Sequence, residues 1–171
     1  AIEIAVNDMV YVCSEFYEAG ADGLNIDTVG AAGDPDFKAA LIATEKLIAK
    51  YPDINIEIGM AGEFVLGMHS ELTHNGQRLA GLYPHDQVKL VEAAGAHIFG
   101  AVVNTNTTQS FPWNLARSVT FCKACTTAAK IPVHGNMGMG VGALPLCEVQ
   151  PPEIVSQASK AMVEIARLDG L

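Results

Sequence analysis

The sequence predicts an α/β fold of parallel strands and outer helices, arranged as part of a (β/α)8 barrel. Three observations predict it. Short alternating segments and longer amphipathic segments follow one another four times, the pattern of a parallel sheet with crossover helices. The strand segments alternate apolar with polar residues, whereas strands covered by helices on both faces read as apolar throughout. The polar residues collect toward the strand C-termini, the end at which barrels of this kind carry their sites.

The elements follow in order. A helix is expected over residues 2–19, with Ile4, Val12, Phe16 and Ala19 as its packing face and Gly20 closing it. Residues 23–28 alternate as a strand: Leu24 and Ile26 point one way, Asn25 and Asp27 the other. Asp34 and Pro35 signal an N-cap and a first helical position. That helix runs to Lys50 with Leu41, Ile42, Leu47 and Ile48 apolar. Residues 54–58 form a second strand, in which Ile54, Ile56 and Ile58 oppose Asn55 and Glu57. Residues 59–84 show little periodicity, and so long a segment reads as functional rather than as a simple connector. A helix over 85–94, a strand over 98–104, a helix over 112–129, a strand over 131–134 and a helix over 152–167 complete the pattern. A faint repeat accompanies it: Glu18-Ala19-Gly20-Ala21 precedes the first strand and Ala93-Ala94-Gly95-Ala96 the third.

Four strands are half of a barrel, and the chain has 171 residues against the roughly 250 of a full one. A single domain over 1–171 is therefore expected, about half of a barrel domain and a fragment of a longer protein. The first residue is Ala rather than Met, and Asp169-Gly170 reads as a helix exit into a further strand.

Composition narrows the function. Hydrophobic residues are 50% and charged residues 17% of the chain, with a mean hydropathy of +0.25, so the chain can build a core and is not disordered. No apolar run approaches the roughly 20 residues that cross a bilayer, and no signal peptide is visible. Ten Lys and Arg stand against nineteen Asp and Glu, a net charge of −9 without a basic stripe, which argues against nucleic acid and suits a cationic or neutral small ligand. Four scattered cysteines read as reduced thiols of a cytoplasmic protein.

Candidate chemistry lies at the strand ends: Asn25, Asp27, Thr28, Asn55, Glu57, Asn104, Asn106, His134 and Asn136. A barrel brings most of them into one cavity, where carboxylates and a histidine supply acid–base capacity or a cation site. Singly, each could be a strand-end cap or turn former; together they favour function. Gly59-Met60-Ala61-Gly62-Glu63 lets backbone approach a ligand and could bring Glu63 to the same mouth. The glycine-rich run 135–142 lacks the spacing of a phosphate loop, and its Met137 and Met139 suit an apolar ligand or partner surface. Cys122-x-x-Cys125 falls within a helix with no second pair, so buried thiols are expected rather than a metal site. His69 and His74, near Glu71, are expected at the surface, and His85 at a helix start.

Several stretches in this order resemble one family: Gly20-Ala21-Asp22-Gly23-Leu24-Asn25-Ile26-Asp27-Thr28, Gly59-Met60-Ala61-Gly62-Glu63, Val65-Leu66-Gly67-Met68-His69, Ala80-Gly81-Leu82-Tyr83-Pro84-His85, Trp113-Asn114-Leu115-Ala116-Arg117 and Met137-Gly138-Met139-Gly140-Val141-Gly142. The chain resembles the dimethylamine:corrinoid methyltransferases, pyrrolysine-containing enzymes of methylamine-dependent methanogenesis, over nearly its whole length. The resemblance implies a TIM barrel that moves a methyl group from dimethylamine to the Co(I) corrinoid of a cognate partner protein. The corrinoid is carried by that partner and not bound directly by this chain. A homo-oligomer is expected for the full-length enzyme. The resemblance also implies that pyrrolysine, encoded by an in-frame amber codon, follows the run Val163-Glu164-Ile165-Ala166-Arg167-Leu168-Asp169-Gly170-Leu171, so that this chain alone is inactive. Under this reading Asp27, Glu57 and Glu63 are candidate catalytic carboxylates, and Asn25, Asn104, Asn106, His134 and Asn136 candidate substrate contacts. Two alternatives stay open: a relative acting on another methylated amine, and a non-catalytic fragment.

Overall fold

The helical and strand segments form where periodicity changes from 3.6 to 2, and the chain's turns carry glycine where backbone must reverse. The computed structural model describes residues 1–61, 70–101, 112–136 and 151–171, with the side chains of 112–114 outside that description. The helices are α1 (Ile2–Glu18), α2 (Asp34–Lys50), α3 (Pro84–Ala93), α4 (Pro112–Ala128) and α5 (Pro152–Ala161), the last continuing as a π-helical turn, Met162–Ala166. The strands are β1 (Leu24–Val29), β2 (Ile56–Met60), β3 (Thr73–His74), β4 (Gln77–Arg78), β5 (Ile98–Gly100) and β6 (Val133–His134).

Four strands make one sheet in the order β1-β2-β5-β6, all parallel. The order in space is the order in the chain, with no reversal of the kind that divides a doubly wound sheet. Register pairs like with like: Leu24 with Ile56, Ile26 with Ile58, Ile58 with Phe99, and Phe99 with Val133. Ile26, Ile56, Ile58, Phe99 and Val133 are buried with Phe37, Leu41 and Leu47 of α2 and Val88 and Val91 of α3 in one apolar cluster. The opposite face carries Asn25, Asp27, Glu57 and His134, none of them buried. A sheet wound in one direction and packed by helices on one face is an arc of a barrel wall. It is not closed among the described residues.

The repeat around Gly20 and Gly95 is a shared helix exit. Both glycines have positive φ (+101° and +94°). In each, the glycine amide bonds back three residues and the next amide five, Gly20 to Tyr17 and Ala21 to Phe16, Gly95 to Glu92 and Ala96 to Val91. This is the Schellman arrangement, which turns the chain from helix into strand.

The structure corrects several expectations. The packing face of α1 is the other apolar stripe: Ile4, Val12 and Phe16 are 66%, 47% and 59% exposed. Val6 is buried against Ala39 and Ala43 of α2, with Met9, Val10, Cys13 and Tyr17 on the core side. The second strand begins at Ile56 rather than Ile54, and the third ends at Gly100 among the described residues. The last helix changes to a π-turn at Met162 and ends at Arg167 in left-handed geometry (φ 62°). Asp34 is the first residue of α2 and makes no cap bond; Asp36 instead accepts the Gly30 amide at 2.9 Å. Residues 70–79 are not featureless: Asn75-Gly76, both at positive φ, turn a β3–β4 hairpin. Its His74 is 7% exposed and bonds Glu45 Oε1 of α2 at 3.0 Å, so it is a buried fastening and not a surface residue. Leu79 beside it is fully buried.

After Arg167 the chain returns to the sheet. Val133 N–H donates to Asp169 Oδ2 at 2.8 Å, Asp169 N–H to the Val133 carbonyl at 3.0 Å, and Gly170 bridges His134 in parallel. The expected exit at Asp169-Gly170 thus lies beside β6, joined to it by an isolated bridge at Gly170.

One strand residue is strained. Between Ile26 and Val29 the β1–β2 register shifts, and Thr28 sits there at φ 60°. A β-branched residue in the left-handed region is a true outlier, costing on the order of 1–3 kcal/mol. Thr28 is exposed, so its side chain supports no core. Thr28→Gly is expected to stabilise the fold by about 1 kcal/mol, the strain relieved less the entropy a glycine adds to the unfolded chain. Urea unfolding checks this; a lowered midpoint would show that the Thr28 side chain holds the bulge.

Candidate functional site

Strand parity builds the site. Residues two apart on β1 project Asn25 and Asp27 to the uncovered face, and the same parity on β2 projects Glu57 and leaves Gly59 beside them. Gly59 pairs with Gly100 on β5, and Gly100 pairs with His134 on β6. Around these glycines lies a cavity of about 110 Å³, lined by Asn25, Asp27, Thr28, Glu57, His134 and Asn136 together with Gly59, Met60, Ala61, Gly100 and Ala101.

Two polar contacts order it. Glu57 Oε1 lies 2.8 Å from His134 Nδ1, with the Glu57 side chain 17% and the His134 side chain 38% exposed. A carboxylate on Nδ1 fixes the ring's orientation and, for the neutral ring, leaves Nε2 as the acceptor. Asp27 Oδ1 accepts the Thr28 amide at 2.7 Å, so the bulge that strains Thr28 also aims the carboxylate. Two carboxylates and a histidine lining one cavity can hold a small cation and can take or give a proton.

Of the strand-end candidates, Asn25, Asp27, Thr28, Glu57, His134 and Asn136 come together here. Asn55 does not: its amide donates to the Asp22 carbonyl at 3.3 Å, at the N-terminal end of the strands. Glu63, His69, Asn104, Asn106 and the glycine-rich run beyond Asn136 lie outside the described residues. Gly59, expected from the sequence to allow close backbone approach, lines the cavity, whereas Gly100 escaped sequence reasoning; its signal was its place at the end of a strand after two large apolar residues, since glycine within a strand marks a close approach. Among the described residues, no three His, Cys, Asp or Glu side chains gather as a metal site. No helix among them is long and apolar enough to cross a membrane. Cys122 and Cys125 are buried thiols, as their helical placement indicated.

These features define an α/β chain with an acidic, histidine-bearing cavity at the C-terminal ends of parallel strands. The family model described as dimethylamine methyltransferase matches residues 1–171, and the chain belongs to that family. Membership makes it a methyltransferase chain with dimethylamine as the substrate its family name implies.

Burial, and secondarily Cys122 beside it, pushes the Cys125 thiol from 9.0 up to about 12. The folded state therefore favours the protonated thiol. Its contribution is full below pH 9 and is lost as pH rises from there through about 12. At pH 8 and without denaturant, mass spectrometry after alkylation is expected to find Cys122 and Cys125 unmodified; rapid modification of either would contradict the buried face of α4.

Proposed function

We propose that this chain supplies the amine-binding part of an enzyme that moves a methyl group from dimethylamine to the Co(I) corrinoid of a partner protein, in methanogenesis from methylamines. The observation that carries this reading is the Glu57–His134 pair standing with Asp27 around one small cavity, in a chain of this family. In the transfer, a nucleophilic acceptor forms a bond to the methyl carbon. The C–N bond breaks, and its electron pair stays on nitrogen, which leaves as monomethylamine. An amide anion is a very poor leaving group, so the nitrogen must carry a proton or be otherwise electron-poor as the bond breaks. Asp27, on the exposed side of the cavity, holds the amine's N–H as a charge-assisted hydrogen bond. Glu57 and His134 keep the proton count on the nitrogen. Asn25 and Asn136 line the same space and orient the methyl groups. Glu63, Asn104 and Asn106 are proposed to complete the mouth.

The size of the cavity supports this reading. The cavity, about 110 Å³, has room for an amine of a few heavy atoms. The corrinoid is proposed as the methyl acceptor, carried by its partner to the mouth, with residues 60–84 and 137–142 as the docking segments. The described sheet, in turn, is proposed as about half of one barrel domain. Pyrrolysine, which the resemblance implies, is proposed as part of the full-length enzyme. Sequencing the coding DNA past the Leu171 codon checks this: an amber triplet followed by an open frame is expected, and an ochre or opal stop would oppose it.

In the full-length enzyme assayed with its corrinoid protein, Glu57→Gln is expected to lower kcat about 100-fold, the usual loss for removed acid–base catalysis. Asp27→Asn is expected to raise the KM for dimethylamine at least about tenfold with a smaller change in kcat, as lost ground-state binding does. Near-wild-type parameters in both variants would refute the assignment.

A further inference from the structure

We propose that Gly59 is a positioning residue: by having no side chain, it admits the Asp27 carboxylate to the cavity. This rests on the reading of Asp27 as the amine's anchor and extends it to a residue that acts through Asp27. A Cβ built on Gly59 would stand 2.6 Å from Asp27 Oδ1, 3.2 Å from Asn25 Oδ1 and 3.4 Å from Asp27 Cγ. These are all side-chain atoms of the neighbouring strand, and no backbone atom is among them. The place where β2 would ordinarily put a side chain is thus the place where β1 lays its carboxylate. Thr28 N–H, donated at 2.7 Å, holds Asp27 Oδ1 there from the other side. One methyl group at position 59 takes that space and turns the carboxylate out of it. The fold tolerates the methyl, because the atoms it meets are ends of exposed side chains. Gly100 makes the contrast: a Cβ there would stand 2.8 Å from Gly59 Cα, so alanine at 100 pushes strand against strand and reports on the sheet.

The test is a double-mutant cycle on the full-length enzyme, comparing Gly59→Ala, Asp27→Ala and the double variant by KM for dimethylamine, kcat and thermal midpoint. If Gly59 acts through Asp27, Gly59→Ala raises KM at least tenfold with kcat changed less than threefold. In the Asp27→Ala background, where no carboxylate remains to displace, the same change alters KM less than twofold. The thermal midpoint stays near its reference in both backgrounds. A KM within twofold of wild type in Gly59→Ala overturns the proposal. So does an equal loss in both backgrounds, whether through kinetics or through failure to fold, because a purely structural glycine costs the same with or without Asp27. Asp27→Ala separates the two levels. If it leaves KM unchanged, the anchoring role itself is wrong; if it raises KM while the two effects multiply, only the role of Gly59 falls.

Discussion

The parity of the strands is the constraint on which the site depends. In a parallel ladder, paired residues share a face, and a one-residue slip sends every side chain to the opposite one. Here Ile56 and Ile58 are 1% and 0% exposed, and each is matched by an apolar partner on β1. Burying a side chain of this size stabilises by about 1.5–3 kcal/mol, so a slip that exposed both would cost several times RT and bury Glu57 against the helices instead. The hydrophobic face thus dictates where the polar face lies. Asp27, Glu57 and His134 meet because Ile26, Ile58 and Val133 are buried.

What the primary structure disclosed follows the same division between local and distant causes. Alternation in Leu24-Asn25-Ile26-Asp27 and Ile54-Asn55-Ile56-Glu57 sufficed to name both carboxylates of the cavity, since period 2 is a property of the strand alone. The face of α1 was not decidable in this way. Ile4, Val12 and Phe16 form one apolar stripe and Met9, Val10, Cys13 and Tyr17 another, and periodicity weights them equally. Ala39 and Ala43 of α2, small enough to admit Val6, choose between them. His74 likewise bonds Glu45, 29 residues earlier, a pairing no local pattern carries. Gly59 was legible as a close-approach glycine, but what it makes room for was not: the need for no side chain at 59 comes from Asp27 and Asn25 on another strand. The Asn75-Gly76 hairpin, by contrast, is a local matter, legible from its turn residues.

The acidity of the chain takes on meaning only with this geometry. A net charge of −9 disperses over a surface and selects no ligand by itself. Gathered at one end of a sheet, in a cavity the size of a few heavy atoms, two carboxylates and a histidine favour a small cation over a neutral molecule of the same shape. The family match supplies a substrate of that chemistry. Strain at Thr28 belongs to the same device, since the bulge that costs stability is also what aims Asp27.

The most direct measurement of this account is a crystal structure of the full-length protein with dimethylammonium bound. The nitrogen is predicted about 2.8 Å from a carboxylate oxygen of Asp27, within the space enclosed by Glu57, His134 and Gly59. Dimethylammonium seated elsewhere, or Asp27 and Glu57 turned to different compartments of the bound structure, would contradict it.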